Sequence, residues 1–77
     1  MDFVIHFCPA AEDDALALAR QLFAHFDEAI DALSLIPVTE PELDLYLDGR
    51  LVHSLKATGR APRVADIAAK GSADYAQ

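Results

Sequence analysis

The sequence predicts a two-layer α/β sandwich of element order β-α-β-β-β-α, with a mixed four-stranded sheet and both helices on one face. Three patterns carry this expectation. The chain opens on a β-branched and aromatic run, Phe3-Val4-Ile5-His6-Phe7, and passes at Pro9 into helical spacing, with Leu18, Leu22 and Phe26 at i, i+4 and i+8. Further on, Leu43, Leu45 and Leu47 alternate with Glu42, Asp44, Tyr46 and Asp48, the period-2 signature of a half-buried strand. Asp48-Gly49 then marks a tight hairpin into Leu51-Val52-His53-Ser54-Leu55.

The first strand is apolar on both alternating faces and reads as a central strand buried on two sides. Pro9 suits a first helical turn, Glu12, Asp13 and Asp14 sit where the helix dipole favours acids, and Ala15, Ala19 and Phe23 widen the apolar stripe. The helix is expected to start almost at Cys8 and to fade near Asp27-Glu28. Leu33-Ser34-Leu35-Ile36 reads as a second strand stopped by Pro37. In the hairpin, a two-residue turn pairs Leu45 with Val52 and Tyr46 with Leu51, and a three-residue turn pairs Leu45 with His53; the first is preferred. Pro62 opens a last short helix that buries Val64, Ile67 and Ala68 and ends at Lys70-Gly71. Residues 1–71 form one domain and 72–77 a frayed tail.

Seventy-seven residues leave room for one core, and the 53% hydrophobic, 25% charged composition is that of a folded chain. Such a domain buries only about 60–65% of the surface its unfolded chain exposes. The net charge of −7 argues against nucleic acid, whose binding draws on clustered Lys and Arg. Charge is also divided along the chain. Residues 1–49 hold eleven acids against Arg20 alone, and residues 50–77 hold five bases against Asp66 and Asp74. No apolar run approaches the ~20 residues that span a bilayer, and a lone Cys8 excludes an intrachain disulfide. A cytoplasmic protein with a reduced thiol is expected. No catalytic triad, phosphate loop or cofactor fingerprint appears, which excludes conventional hydrolase and dehydrogenase chemistry.

A right-handed β-α-β crossover makes the first two strands parallel. The short link from Pro37 to Pro41 then steps over one strand, so the third strand lies beside the first. Cys8, the loop around Pro41 and the loop from Ala57 to Ala61 thereby converge on one edge of the sheet. Two readings of Cys8 stand at this point: a small apolar residue under a helix start, or a reactive thiol. His6 shares a strand face with Cys8 by period two, but two ligands do not make a metal site. His25 reads as a surface residue near the helix end, and His53 as the cross-strand neighbour of Asp44. The sheet face without helices carries Tyr46, Leu51 and Leu55, diluted by Glu42, Asp44 and His53. It reads either as a contact surface for a homodimer or partner protein or as a surface that tolerates water.

Several segments together carry a resemblance: Cys8 after an aromatic strand, Ser34-Leu35-Ile36-Pro37-Val38-Thr39, Leu47-Asp48-Gly49-Arg50-Leu51-Val52, and Thr58-Gly59-Arg60-Ala61-Pro62. Over nearly the whole chain, to about Lys70, the sequence resembles the selenoprotein W-related Rdx family. The resemblance implies a thioredoxin-like fold and a redox role carried by a Cys-x-x-Cys or Cys-x-x-selenocysteine loop after the first strand. Cys8 matches the first cysteine of that loop. Ala11 stands at the second position, and Ala61 stands where the family has an aromatic residue between Gly-Arg and Pro. What the resemblance then leaves is monothiol chemistry: a mixed disulfide of Cys8 with glutathione or a protein thiol, released by an external thiol. Arg60 and Arg63 are expected to favour a thiolate, and Glu12, Asp13 and Asp14 to oppose it. Pro41 is either a cis proline facing the thiol or a trans turn proline. A non-catalytic binding or dimerisation module that has lost the redox pair is the alternative.

Overall fold

A computed structural model describes residues 1–67 and shows a four-stranded sheet of order β2-β1-β3-β4. Strand β1 spans Asp2–Phe7 and β2 spans Ala32–Pro37, and the two pair in parallel from Asp2↔Ala32 to Phe7↔Pro37. Strand β3, Leu43–Leu47, runs antiparallel to β1, with Ile5 opposite Leu45. Strand β4, Arg50–Ser54, returns along β3. Helix α1, Glu12–Phe26, links the parallel pair. The core joins Phe3, Ile5, Leu43 and Leu45 of the sheet to Ala15, Leu18, Ala19 and Leu22 of α1 and to Ile67, so both helical segments cover the same sheet face. The α/β order and central β1 expected from the sequence are therefore those observed.

Helix α1 begins later than expected. Pro9–Ala11 form a single 3-10 turn in which the Ala11 N–H donates to the Cys8 carbonyl at 2.9 Å, and the α-helix starts at Glu12. This i→i+3 ring is the tighter first turn common at helix N-termini, and Pro9 fits it because its missing N–H would have no intrahelical partner. The three acids do occupy the first turn of α1. At its other end α1 stops at Phe26, followed by a 3-10 turn at Asp27–Ala29. The apolar stripe is narrower than expected, because Phe23 is 53% exposed. Nor is β1 buried on both sides: Phe3 and Ile5 lie in the core, while Val4 and His6 on the other face are half-buried.

The hairpin combines both expected registers. Asp48 (φ 50°) and Gly49 (φ 84°) form a two-residue turn with two positive φ values, the type I′ geometry that suits twisted strands. Tyr46 accordingly faces Leu51, but a bulge then inserts Val52, so Leu45 faces His53 and Asp44 faces Ser54. One added residue reverses the inward-outward alternation. His53 therefore lies buried on the core side, not opposite Asp44 on the open face. Leu55 leaves the strand as well. It starts a four-residue helix, α2 (Leu55–Thr58), and packs against the core. Ser54 caps α2 by accepting from the Ala57 N–H, and Gly59 ends it at φ 80°. A further helix, α3, begins after Pro62 at residues 64–67, with Ile67 buried and Val64 half-buried. The expected burial of Ala68 and the stop at Lys70-Gly71 lie outside the described residues, as do residues 72–77.

Adjacent positions on α1 separate core from surface. Leu22→Ala, at a fully buried site, is expected to cost about 2–5 kcal/mol. Phe23→Ala is expected to stay within about 0.5 kcal/mol. Urea denaturation of dilute protein checks both values.

Candidate thiol site

Cys8 follows the last residue of β1 and is anchored by its backbone on both sides. Its N–H donates to the Glu42 carbonyl at 2.9 Å, and its carbonyl accepts from Ala11. The neighbouring Phe7 carbonyl accepts from Val38 N–H at 2.8 Å. The segment between β2 and β3 is thus stitched to the end of β1 at both of its ends, which fixes Pro41 next to the residue that holds Cys8. Pro41 is exposed and its peptide bond is trans, since no cis bond occurs among the described residues. Cys8 itself is half-buried and packs against the core. His6 does not share its face: the imidazole lies against Tyr46 on the open side, with ring centroids 5.0 Å apart. The strand alternation ends at Phe7, and the turn into the 3-10 segment redirects Cys8. Ala11, three residues on, is buried under the helix start.

The third loop expected at this edge is held by a network that the sequence did not reveal. The Arg60 guanidinium forms a two-pronged pair with Asp66, with Nη2 to Oδ1 at 2.6 Å and Nη1 to Oδ2 at 3.0 Å. The Arg63 N–H also donates to Asp66 Oδ2 at 2.8 Å, so Asp66 caps the start of α3 from its third position. His53 fills the space behind. Its Nε2 lies 3.0 Å from the Arg60 carbonyl and 2.8 Å from Thr58 Oγ1, and its Nδ1 lies 3.5 Å from Asp66 Oδ2. Since the Arg60 carbonyl only accepts, Nε2 is the donor, and the Thr58 hydroxyl directs its own proton to the Ser54 carbonyl at 2.8 Å. The Arg60 hydrogen bond and the Arg63 N–H hold the Asp66 carboxyl down at about 2, against an ordinary 3.8, although burial of the carboxyl opposes this. Arg60, held by the same contact, is shifted upward.

Of the residues singled out in the sequence, Cys8, Ala11 and Pro41 are therefore brought to one edge by backbone hydrogen bonds. Arg60 reaches Asp66 with its charge, and Arg63 contributes its backbone to the same carboxylate. The one available signal for this cluster was Asp66 three residues after Arg63, the spacing of a reciprocal helix cap. On the open face, removal of His53 and Leu55 leaves Tyr46 half-buried and Leu51 exposed. There Val4, His6, Tyr46 and Gly49 line a shallow hollow of about 200 Å³.

A parallel β-α-β unit extended by an antiparallel hairpin, with a cysteine at the first strand-to-helix junction, defines a small thioredoxin-like α/β protein. The Rdx family model matches residues 3–70, and the chain belongs to the Rdx family. Its fold is similar to that of a selenoprotein W-related protein from Vibrio cholerae, at 20% identity and a TM-score of 0.77 over 86% of this chain and 85% of the other. It is likewise similar to a protein from Bordetella parapertussis, at 18% identity and a TM-score of 0.74 over 84% and 85% of the two chains. No curated protein matches the chain. No helix among the described residues is long and apolar enough to cross a membrane.

The network gives a pH dependence of defined sign. Asp66 titrates lower in the fold than in the unfolded chain, so its contribution is complete above the ordinary carboxyl value and is lost as pH falls toward about 2. A loss on the order of 1–2 kcal/mol is expected across that interval. Urea midpoints measured between pH 5 and pH 2 are expected to fall less steeply for Asp66→Asn than for the unmodified chain.

Proposed function

We propose that this Rdx protein acts as a monothiol in disulfide exchange, with Cys8 as the reacting group and glutathione or a protein thiol as its partner. The observation that supports this reading best is the position of Cys8: a half-buried cysteine at the strand-to-helix junction of a chain matched to the Rdx family over residues 3–70. The Cys8 thiolate attacks one sulfur of an incoming disulfide, forms a mixed disulfide and releases the other half as a thiolate. With Ala11 at the second position, no local thiol resolves that adduct. An external thiol must therefore attack it, regenerating the Cys8 thiolate and carrying the oxidising equivalent away as a new disulfide. The balance is one thiol-disulfide exchange in each direction, and nothing else is oxidised or reduced.

In this reading the charges of the domain set the rate: the acids Glu12, Asp13 and Asp14 of the first turn of α1 slow reaction at Cys8, and Arg63 and Arg60, the latter partly neutralised by Asp66, speed it.

Incubation with oxidised glutathione followed by intact-mass measurement tests the proposal. One glutathionyl group per chain is expected, absent in Cys8→Ser and removed by added reduced glutathione. An unmodified Cys8 would overturn the redox reading and leave a binding module that has kept the fold and lost the chemistry. Ala11→Cys is expected to lose two titratable thiols per chain on mild oxidation. At fixed pH, Arg60→Ala is expected to slow Cys8 alkylation, and joint replacement of Glu12, Asp13 and Asp14 by their amides to accelerate it.

A further inference from the structure

The two edges of the sheet are built differently. On β4 the Val52 bulge distorts the ladder, Arg50 places a charge on the strand, and α2 ends it after five residues. These are the devices that keep an edge from pairing with another strand. The β2 edge has none of them. Its six residues pair with β1 in unbroken register, and residues 32–39 contain no charged side chain. Pro37 stands only at its last position.

The backbone of β2 is also ordered for a partner. Ala32 and Val38 both direct their N–H groups to β1, to the Met1 and Phe7 carbonyls. In a parallel ladder the direction alternates, so Ser34 and Ile36 point inward with them and Leu33 and Leu35 turn their N–H and C=O groups outward. No described segment lies beyond β2. Large apolar side chains flank this edge, with Arg20 between the two on α1. Leu35 is 37% and Ile36 42% exposed. Leu16 and Phe23, exposed on α1, are seven residues apart and share one side of the helix, about a quarter-turn past its buried face. A right-handed crossover turns that side toward β2. Four of the five large exposed apolar side chains among the described residues thus lie along one edge, and the fifth, Leu51, belongs to β4.

We propose that a second copy of this chain pairs with it antiparallel along β2, about a two-fold axis at Ser34, to form a continuous eight-stranded sheet. The sequence of β2 is self-complementary in that register. Leu33 faces the partner's Leu35 and Leu35 the partner's Leu33, as hydrogen-bonded pairs that satisfy all four outward N–H groups. Ser34 faces its own copy as the non-hydrogen-bonded pair, and Ala32 faces Ile36. A shift by two residues pairs Leu33 with Pro37, which has no N–H, in one direction, and Leu35 with Asp31, whose N–H is already given to the Met1 carbonyl, in the other. No charged side chain is brought opposite another within the strand. The Leu16 and Phe23 side of α1 borders the same seam, and the two Cys8 edges lie at opposite ends of the extended sheet.

Sedimentation velocity with reductant present, over a concentration series, tests this. The unmodified chain is expected to pass from monomer to dimer, and Leu35→Lys to weaken that association by roughly tenfold or more. Leu51→Lys, on the open face, is expected to leave it unchanged. In a Cys8→Ser background, Ser34→Cys is expected to form an intermolecular disulfide on oxidation, because residues facing each other at a non-hydrogen-bonded position have Cα atoms about 4.5 Å apart. Leu51→Cys is expected to form none. A chain that stays monomeric throughout the series overturns the proposal. A dimer indifferent to Leu35→Lys, or weakened by Leu51→Lys instead, also overturns it, and the latter assigns the contact to the open face. Should Leu35→Lys fail to fold, the cross-link decides alone: its absence at Ser34 refutes the pairing.

Discussion

Strand β1 is hydrogen-bonded on both sides, in parallel to β2 and antiparallel to β3, and those bonds continue one residue beyond it through Val38 to Phe7 and Cys8 to Glu42. Backbone bonds of this kind are directional, so the chain leaves β1 along a fixed path. The path sets where the 3-10 turn begins, where α1 lies on the core, and how far Cys8 is covered. Phe3 and Ile5 on β1 also lie at the centre of the core that the helical layer covers. The thiol and the core are therefore two consequences of one doubly paired strand.

The second half of the chain completes the edge by different physics. After the bulge, His53 enters the core side and is satisfied at Nε2 by Arg60 and Thr58. Asp66 binds Arg60, caps α3 and faces the other imidazole nitrogen. Loop 59–63 is thereby held by charge and hydrogen bonds where β1 and α1 are held by apolar packing. A charged network near the surface weakens with acid and with salt, whereas the apolar core does not. Loop 59–63 is consequently more sensitive to solution conditions than β1 and α1.

Much of this was legible in the sequence, and the reasons are local. The Phe3–Phe7 run, the Leu43-Leu45-Leu47 alternation and Asp48-Gly49 each specify an element through neighbouring residues, and together they imposed the strand order and the meeting of the 38–42 segment with the end of β1. The errors arise where one residue alters parity or a short element intervenes. Val52 as a bulge moved His53 from the open face to the core. Ser54 and Gly59, a cap and a left-handed stop around four residues, drew Leu55 out of the strand. A single 3-10 turn at Pro9–Ala11 delayed α1 to Glu12. The Arg60–Asp66 pair was hidden for another reason: its geometry depends on how loop 59–63 folds back over His53, which no periodicity encodes. The Rdx resemblance was visible in motif order alone, with Ala11 its most consequential departure.

Exchange chemistry at this site requires Cys8 to be reachable in the folded protein. The direct measurement is the rate of Cys8 labelling by a small alkylating reagent, followed across urea concentrations below the unfolding transition. If the backbone anchors present the thiol at an open edge, labelling is fast in the absence of urea and nearly independent of it until global unfolding begins. A rate that is negligible without denaturant and rises in proportion to the unfolded population would show that Cys8 is a core residue and takes no part in exchange.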